Sequence, residues 1–447
     1  MNFYRLCYFL IATLGILVAP PLLAADLMDV YRSAFAEDAQ LGAAEAEYQA
    51  ATEAKPQARS AWLPQAQANG GFGWRKSFSS QNFETPQGAG SFGNEGSARN
   101  WNVEVSVNQV LFNKTFWERL KKADVSIAQS RAELEVERQN LVLRVAEAYF
   151  KVLSAKDNLR FARKEKEAIG RQLEQAEKRF EVGLIAVTDV KEAQADYDRA
   201  AAQEISARNE LDTAIEELVV VAGKEYPGFA TLSEDFPLSD PEPADIQAWR
   251  DTALESNLQL RAARLGVQVA SREIRQQRGG YYPELTAQAS HSFQRVNGDF
   301  ELESTRRESN VGLQLSVPLF QGGSVSSAVR QAQAGLTQAK EQLLQTKRET
   351  SRQARSAYLS VSSGISQVEA LSQALESART ALEATEAGFE VGTRTAVDVL
   401  LAVRSVYEAS RDLAQARYQV ILDTLRLKQA AGTLAEADLV QINRFIE

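Results

Sequence analysis

The chain has 447 residues, with 50 lysines and arginines against 59 aspartates and glutamates, and only one histidine and one cysteine. Its formal net charge of −9 argues against nucleic acid and against an anionic membrane surface as partners of the chain as a whole. The single cysteine, Cys7, falls inside the predicted export signal, so we expect no disulfide, no thiol catalysis and no lipidated N-terminal cysteine in the mature chain.

Residues 1–25 are predicted to form an export signal peptide. Arg5 gives a positive start, an apolar run covers 6–18, and Ala25 precedes a polar residue. A membrane anchor is the alternative, but the run is short and Pro20 and Pro21 follow it. No later stretch has the roughly 20 apolar residues that a membrane helix needs. If the mature chain enters a membrane, we therefore expect it to do so with strands.

The remainder of the chain reads as two copies of one unit. Residues 180–190 (FEVGLIAVTDV) and 389–399 (FEVGTRTAVDV) repeat one motif at an offset of 209 positions. A period of about 200 residues is far longer than a solenoid repeat, so it indicates a duplicated, domain-sized element. The predicted divisions are a first repeat at 26–222, a linker at 223–244, a second repeat at 245–432 and a C-terminal tail at 433–447.

Each copy is predicted to begin with a helix, at 27–59 and 245–278, and to continue with two strands. Apolar and polar residues alternate along these strands, which suits a soluble sandwich or a membrane barrel. Aromatic residues near the strand ends favour the barrel, because they resemble an interfacial girdle. We expect the segments 79–99 and 295–309 to be extracellular loops. The girdle residues are Phe72, Trp74, Phe78 and Trp101.

A long helix, a glycine turn and a second long helix complete each copy. Apolar and small residues recur every seven positions from Ile127 and from Leu336, which is the pattern of coiled-coil packing. A helix over 115–182 would be about 100 Å long at about 1.5 Å per residue, too long for a compact domain. Gly183 and Gly392 are predicted to end the long helices in the left-handed conformation.

Four strands per chain cannot close a membrane barrel, because barrels contain at least eight. An open sheet edge in lipid would leave unpaired backbone groups, each costing several kcal/mol. We therefore predict an α+β membrane protein in which several chains share one β-barrel, four strands each, continued by a long α-helical coiled-coil barrel with two structural repeats.

Over nearly the whole mature sequence, from Asp26 to Leu434, the chain resembles the TolC family of trimeric outer-membrane export ducts. The most specific stretches are the two FEVG motifs at 180–190 and 389–399. The resemblance implies a homotrimer in the outer-membrane lipid with a large periplasmic part. It also implies a periplasmic adaptor (membrane fusion) protein and an inner-membrane efflux pump or secretion ATPase as partners. Drugs, toxins and proteins all remain open as cargo.

The same resemblance implies a gate where the helix tips narrow the periplasmic entrance. Asp398 matches the aspartate that rings the family's pore constriction, and Arg394 matches an arginine that bonds to Thr188 and Asp189 of the neighbouring helix pair. Phe389 stands where a tyrosine would offer a hydroxyl to this latch. At 401 a leucine replaces a second acidic residue, so we expect weaker block by cations.

Capping is the competing interpretation of the gate residues. Thr395 and Asp398 fit the [ST]-x-x-[DE] capping box at a helix start, and Asp189 could favour a helix N-terminus. Both roles of Asp398 can coexist.

Two other functional classes were weighed. A periplasmic coiled-coil adaptor without a pore explains the heptads but not the strand pairs or the duplication. We expect no enzyme, no metal site and no cofactor, because the sole histidine, His291, lies in a strand pattern without a second histidine nearby.

Overall fold

The computed structural model describes residues 24–233, 235–298 and 303–447. Residues 1–23, which include Cys7 and nearly all of the predicted export signal, lie outside the described residues. Across the described ranges, no helix combines the length and the apolar composition needed to cross a bilayer.

In chain order, the second half of the described fold repeats the helices and strands of the first. Each half has short helices, a strand pair and two very long helices. The elements are α1 (Leu27–Glu37), α2 (Ala39–Thr52), α3 (Ala54–Ser60), β1 (Gln65–Thr85), β2 (Gly88–Asn113), α4 (Lys114–Glu181), α5 (Val187–Ala222), α6 (Ile246–Ser256), α7 (Leu258–Arg278), β3 (Glu284–Gly298), β4 (Ser304–Ser316), α8 (Ser324–Glu390), α9 (Ala396–Ala431) and α10 (Glu436–Asn443).

The strands form one antiparallel sheet in the order β1-β2-β3-β4, so β1 and β4 are its edges. The predicted alternation is confirmed. Trp101 lies directly opposite Phe72 on one face, with ring centroids 5.1 Å apart, and both side chains are exposed. This face also carries Val103 and Val105, whereas Asn102 and Glu104 lie on the other. The sheet therefore has one apolar and one polar face.

The predicted loop at 79–99 is wrong. Strands β1 and β2 pair along its whole length, from Ser79 opposite Asn94 to Thr85 opposite Gly88, and only residues 86 and 87 form the turn. Strand structure also covers most of the described part of 295–309. Glycine, serine and asparagine mark loops by composition, but a ribbon outside the lipid can pair its backbone without apolar side chains.

The predicted single helices 27–59 and 245–278 are interrupted at matching positions. Asp38 ends α1 and caps α2 by accepting a hydrogen bond from the Leu41 N–H at 2.7 Å. Asn257 does the same between α6 and α7, with Leu260 at 2.9 Å. Both caps are buried. An Asp or Asn side chain that satisfies the next turn's free N–H stabilises a new helix start, which divides the predicted helix.

The long helices match the prediction closely. Helix α4 has 68 residues and α8 has 67, each about 100 Å long at about 1.5 Å per residue. Along α5, alanines spaced by seven residues are all buried, which lets α4 approach closely. These alanines are Ala193, Ala200, Ala207 and Ala214.

The largest apolar core lies midway along the helices, where α1, α4, α5, α9 and α10 meet. Its centre is Tyr149, which is fully buried and whose hydroxyl lies 3.0 Å from the Ala230 carbonyl and 3.2 Å from the Ala25 carbonyl. Burial raises the pKa of Tyr149, so the hydroxyl stays protonated and donates. The Tyr149 hydroxyl thus attaches two segments to α4: the one around Ala25, before α1, and the one around Ala230, after α5.

We predict that Tyr149→Phe lowers the free energy of unfolding by about 1–2 kcal/mol, because the buried Ala230 carbonyl loses its donor. Thermal unfolding followed by circular dichroism measures the change. Tyr226→Phe is the control: its hydroxyl lies 3.4 Å from the Asp29 carbonyl, so its loss should matter less. An equal effect of the two changes would contradict the assignment.

Candidate gate at the helix tips

The two helix hairpins end in the same glycine turn. Gly183 and Gly392 have φ of +74° and +78°, the left-handed conformation that the sequence predicted. In the first turn the Gly183 N–H donates to the Phe180 carbonyl at 2.9 Å, and the Leu184 N–H donates to the Arg179 carbonyl at 2.9 Å. The second turn repeats both bonds. This pair of bonds is the Schellman motif, so both glycines have a structural reason to be there.

Asp398 caps α9. Its Oδ2 accepts from the Thr395 backbone N–H at 2.9 Å, and the Asp398 N–H donates back to the Thr395 hydroxyl at 3.2 Å. The capping box considered from the sequence is thus formed. The hydrogen bonds from Thr395, and secondarily the charge of Arg394, lower the pKa of Asp398. The carboxylate is therefore ionised at neutral pH within a single chain.

The latch residues lie at the surface of the chain. Arg394 and Thr188 are exposed, and Asp189 lies half-buried in the first turn of α5. Among the described residues, no carboxylate forms an ion pair with Arg394, and Thr188 and Asp189 do not bond to it.

Phe389 makes a contact within its own chain. Its side chain is buried, and the Arg179 guanidinium carbon lies 4.1 Å from the centroid of its ring. A cation over an aromatic face is attracted by the ring quadrupole, by about 0.5–2 kcal/mol. This contact joins the end of α4 to the end of α8, and it needs no hydroxyl. Sequence reasoning missed Arg179, because nothing local links it to a residue 210 positions away.

An apolar cluster lies directly behind the tips. Side chains of α4, α5, α8 and α9 pack together here, so the two hairpins of one chain contact each other through apolar groups. Leu401 is not among them and is 55% exposed. The buried members are Ile169, Ala176, Ala193, Ala200, Phe389, Ala396, Val399, Leu400 and Val403.

Further from the tips, polar side chains of α9 attach it to the first hairpin. Arg404 pairs with Asp196 of α5, and Arg411 pairs with Glu165 of α4 at 2.8 Å. One heptad further, the Tyr418 hydroxyl donates to Asp157 at 2.8 Å. Burial, together with the Asp157 carboxylate, raises the pKa of Tyr418.

We call Arg404, Arg411 and Tyr418, together with their carboxylate partners, the polar row of α9. Its buried carboxylate is Glu165, which is only 5% exposed. Arg411 is its ion-pair partner within the described residues, so this pair is the one whose loss would leave a buried charge. The spacing 404, 411, 418 is visible in the sequence as a polar heptad, and it could have signalled the row.

Across the described residues, no three His, Cys, Asp or Glu side chains cluster in a way that could hold a metal ion. His291 lies on the sheet, with its Nδ1 2.8 Å from the Ser309 hydroxyl.

Comparison with known proteins gives one consistent picture. The family model described as outer membrane efflux protein matches residues 30–224 and 249–433. The outer membrane protein TolC of Vibrio cholerae is 37% identical over 438 residues, covering 97% of this chain and 97% of the relative. The alkaline protease secretion protein AprF of Pseudomonas aeruginosa is 33% identical over 441 residues, covering 98% of this chain and 91% of the relative.

Among solved structures, that of CusC, described as a transmembrane channel, superposes with a TM-score of 0.77 at 18% identity. It covers 92% of this chain and 93% of the CusC chain. These relatives are named as channel and secretion proteins rather than enzymes, and the match does not favour a pore-less adaptor. The chain therefore belongs to the outer membrane efflux protein family, as a TolC-type channel protein of the outer membrane with a large periplasmic part.

Proposed function

We propose that three copies of this chain form one continuous duct, which carries drugs or secreted proteins from an inner-membrane pump through the periplasm and the outer membrane. The observation that carries the proposal is the four-stranded sheet with an apolar face and two unpaired edges, β1 and β4. Pairing β1 of one copy with β4 of the next closes a twelve-stranded barrel, whereas an open edge in lipid costs several kcal/mol per unpaired group.

Exposed apolar side chains on the helices support the same assembly. Ile205 and Val220 of α5 are 72% and 83% exposed, and Leu359 of α8 is 58% exposed. In a trimer these helices lie next to each other across the chain boundary, which would cover them. We further propose that the repeats 26–222 and 245–432 act as equivalent wall units, each contributing two strands and one helix hairpin.

The relatives support the proposed cargo and partners. The family model is described as outer membrane efflux protein, and AprF is named for protease secretion. We therefore propose that a periplasmic adaptor connects the duct to an efflux pump or a secretion ATPase. Purified protein that runs as a heat-resistant trimer and conducts ions in planar bilayers would support the duct; a monomer without conductance would reject it.

The gate proposal rests on the exposed groups at the tips. Arg394 is exposed in the turn before α9 and has no ion pair among the described residues. Thr188 and Asp189 have side-chain oxygen atoms near the tip of the other hairpin. We propose that Arg394 bonds to these two residues of the neighbouring copy and keeps the entrance closed. Three Asp398 carboxylates then line the constriction.

The polar row of α9 suggests a pivot for opening. Between the tip and Arg404, α9 contacts the first hairpin through apolar side chains, which can slide past each other. From Arg404 to Tyr418, directional polar bonds attach α9 to that hairpin. We therefore propose that the second hairpin bends away from the first near Arg404 and Arg411.

Replacing Arg394 by Ala should raise the single-channel conductance in planar bilayers, because the closed entrance loses its bonds between chains. Arg394→Lys keeps the charge and should give an intermediate conductance, since lysine cannot make two parallel bonds. Unchanged conductance in Arg394→Ala would count against the latch.

The two roles of Asp398 are separated by two variants. Asp398→Asn removes the charge and keeps an acceptor for the Thr395 N–H, whereas Asp398→Ala removes both. Inhibition of conductance by di- or trivalent cations should disappear in both variants. Both variants should also destabilise the start of α9, Asp398→Ala more than Asp398→Asn, because only the alanine leaves the Thr395 N–H without its acceptor.

The pH dependence follows from the lowered pKa of Asp398. Because the folded pKa is below the unfolded value, the cap stabilises α9 above the ordinary aspartate pKa and is lost as the pH falls through the lowered one.

Inhibition by cations that survives in Asp398→Asn would place the acidic site elsewhere.

For the pivot, Arg411→Ala should destabilise the protein by about 1–3 kcal/mol, because Glu165 is left buried and unpaired. Arg404→Ala is the matched control. Asp196 keeps Arg199 at 3.1 Å, so the loss should stay below about 1 kcal/mol. Thermal unfolding measures both. The double variant Arg411→Ala with Glu165→Gln should recover most of the loss; equal effects of the two single variants would refute the ranking.

A further inference from the structure

On the apolar face of the sheet, every strand carries a basic residue toward its hairpin end. On β1, β2 and β3 this residue comes directly after an aromatic residue of the same face, although Phe78 lies beyond it on β1; on β4 Ser309 separates it from Val311. We call these residues the basic band. The basic band consists of Lys76 on β1, Arg99 on β2, Arg295 on β3 and Arg307 on β4.

The strand register shows that the four side chains share one face. Arg99 lies opposite Trp74, Arg295 opposite Trp101, and Arg307 opposite Phe293. The Arg307 guanidinium carbon lies 5.7 Å from the centroid of the Phe293 ring, which confirms its side. All four basic side chains are exposed.

The basic band crosses the sheet obliquely. From β4 to β1, each basic residue lies two residues further toward the hairpin end than the position opposite the previous one. The lower border is level from β4 to β2, where Ser316, Glu284 and Asn113 lie opposite one another, and only β1 begins higher, at Gln65 opposite Asn108. In a barrel whose strands tilt by about 35–45°, a line at constant membrane depth also crosses the strands obliquely.

The two borders of the apolar face differ in charge. The helices join the sheet at the lower border, where the same face carries Phe112, Leu285 and Leu315. Because the long helices extend into the periplasm, the basic band lies at the opposite border, level with the headgroups of the outer leaflet. Its aromatic neighbours, Trp74 and Trp101, are side chains typical of that level.

The local charge contrasts with that of the whole chain, which is −9. Lys76 forms an ion pair with Glu95, and Arg295 with Glu303. Arg99 and Arg307 have no carboxylate at ion-pair distance among the described residues. The positive charges of these two guanidinium groups are therefore not neutralised by an ion pair. They lie on the face of the sheet that lipid must cover.

We propose that the basic band binds the phosphate groups of a phosphorylated glycolipid in the outer leaflet. A guanidinium group presents parallel N–H donors that match phosphate oxygens, and the low dielectric beside the acyl chains strengthens the contact. The binding is specific to one leaflet, because the same face carries no basic side chain along the lower border among the described residues.

The test compares faces of the same strands. Arg99→Gln with Arg307→Gln neutralises the unpaired half of the basic band. Arg75→Gln with Arg306→Gln is the matched control, since these arginines are sequence neighbours of the basic band on the polar face. Native mass spectrometry of the purified full-length protein measures retention of a bisphosphorylated glycolipid, of the same glycolipid without phosphates, and of phosphatidylcholine.

We expect the wild-type protein to retain the bisphosphorylated glycolipid in preference to the other two lipids. The band variant should bind it about 25-fold more weakly, at about fivefold per cation removed, and the control should change less than twofold. Equal weakening of band variant and control would overturn the proposal. If the band variant does not insert, the wild-type protein decides: no preference for the phosphorylated lipid, or a preference that 1 M salt leaves unchanged, rejects it.

Discussion

The structure depends on one constraint: a sheet in lipid cannot leave its edge groups unpaired. A chain with four strands and two open edges has no stable place in a bilayer by itself. Every other feature is compatible with sharing one tube among several copies. The unpaired edges of β1 and β4 and the exposed apolar residues of α5 and α8 would gain partners from a second copy, while lipid covers the apolar face of the sheet.

The duplicated halves divide their charges unequally at the contact between hairpins. The second half supplies Arg404 and Arg411 from α9, whereas the first supplies Asp196 and Glu165. Two identical copies could form the coiled coils equally well, but they could not form this complementary contact. Divergence after duplication has therefore produced a directional interaction inside each chain, and the proposed gate lies at the end where that interaction stops.

Much of the fold could be predicted, because long helices and alternating strands leave strong periodic signals. The turn glycines and the capping box were also visible, since each depends on residues within five positions. The breaks at Asp38 and Asn257 were missed because propensity favours a continuous helix there, and only burial of the capping side chains decides otherwise.

Contacts between distant segments were beyond the sequence. Arg179 and Phe389, or Arg411 and Glu165, meet only after two hairpins pack. The ribbon at 79–99 was mistaken for a loop because composition reports exposure to water, not whether the backbone is paired.

That ribbon has a further consequence. Starting with Lys76 opposite Ser97, ten residue pairs of β1 and β2 continue past Gly298, the last residue of β3, over about 33 Å at about 3.3 Å per residue. Among the described residues, no third strand pairs with this part of the ribbon, so residues can be gained or lost there in pairs without shifting the register below. The outermost part of the protein is therefore free to vary in reach while the wall beneath it stays the same.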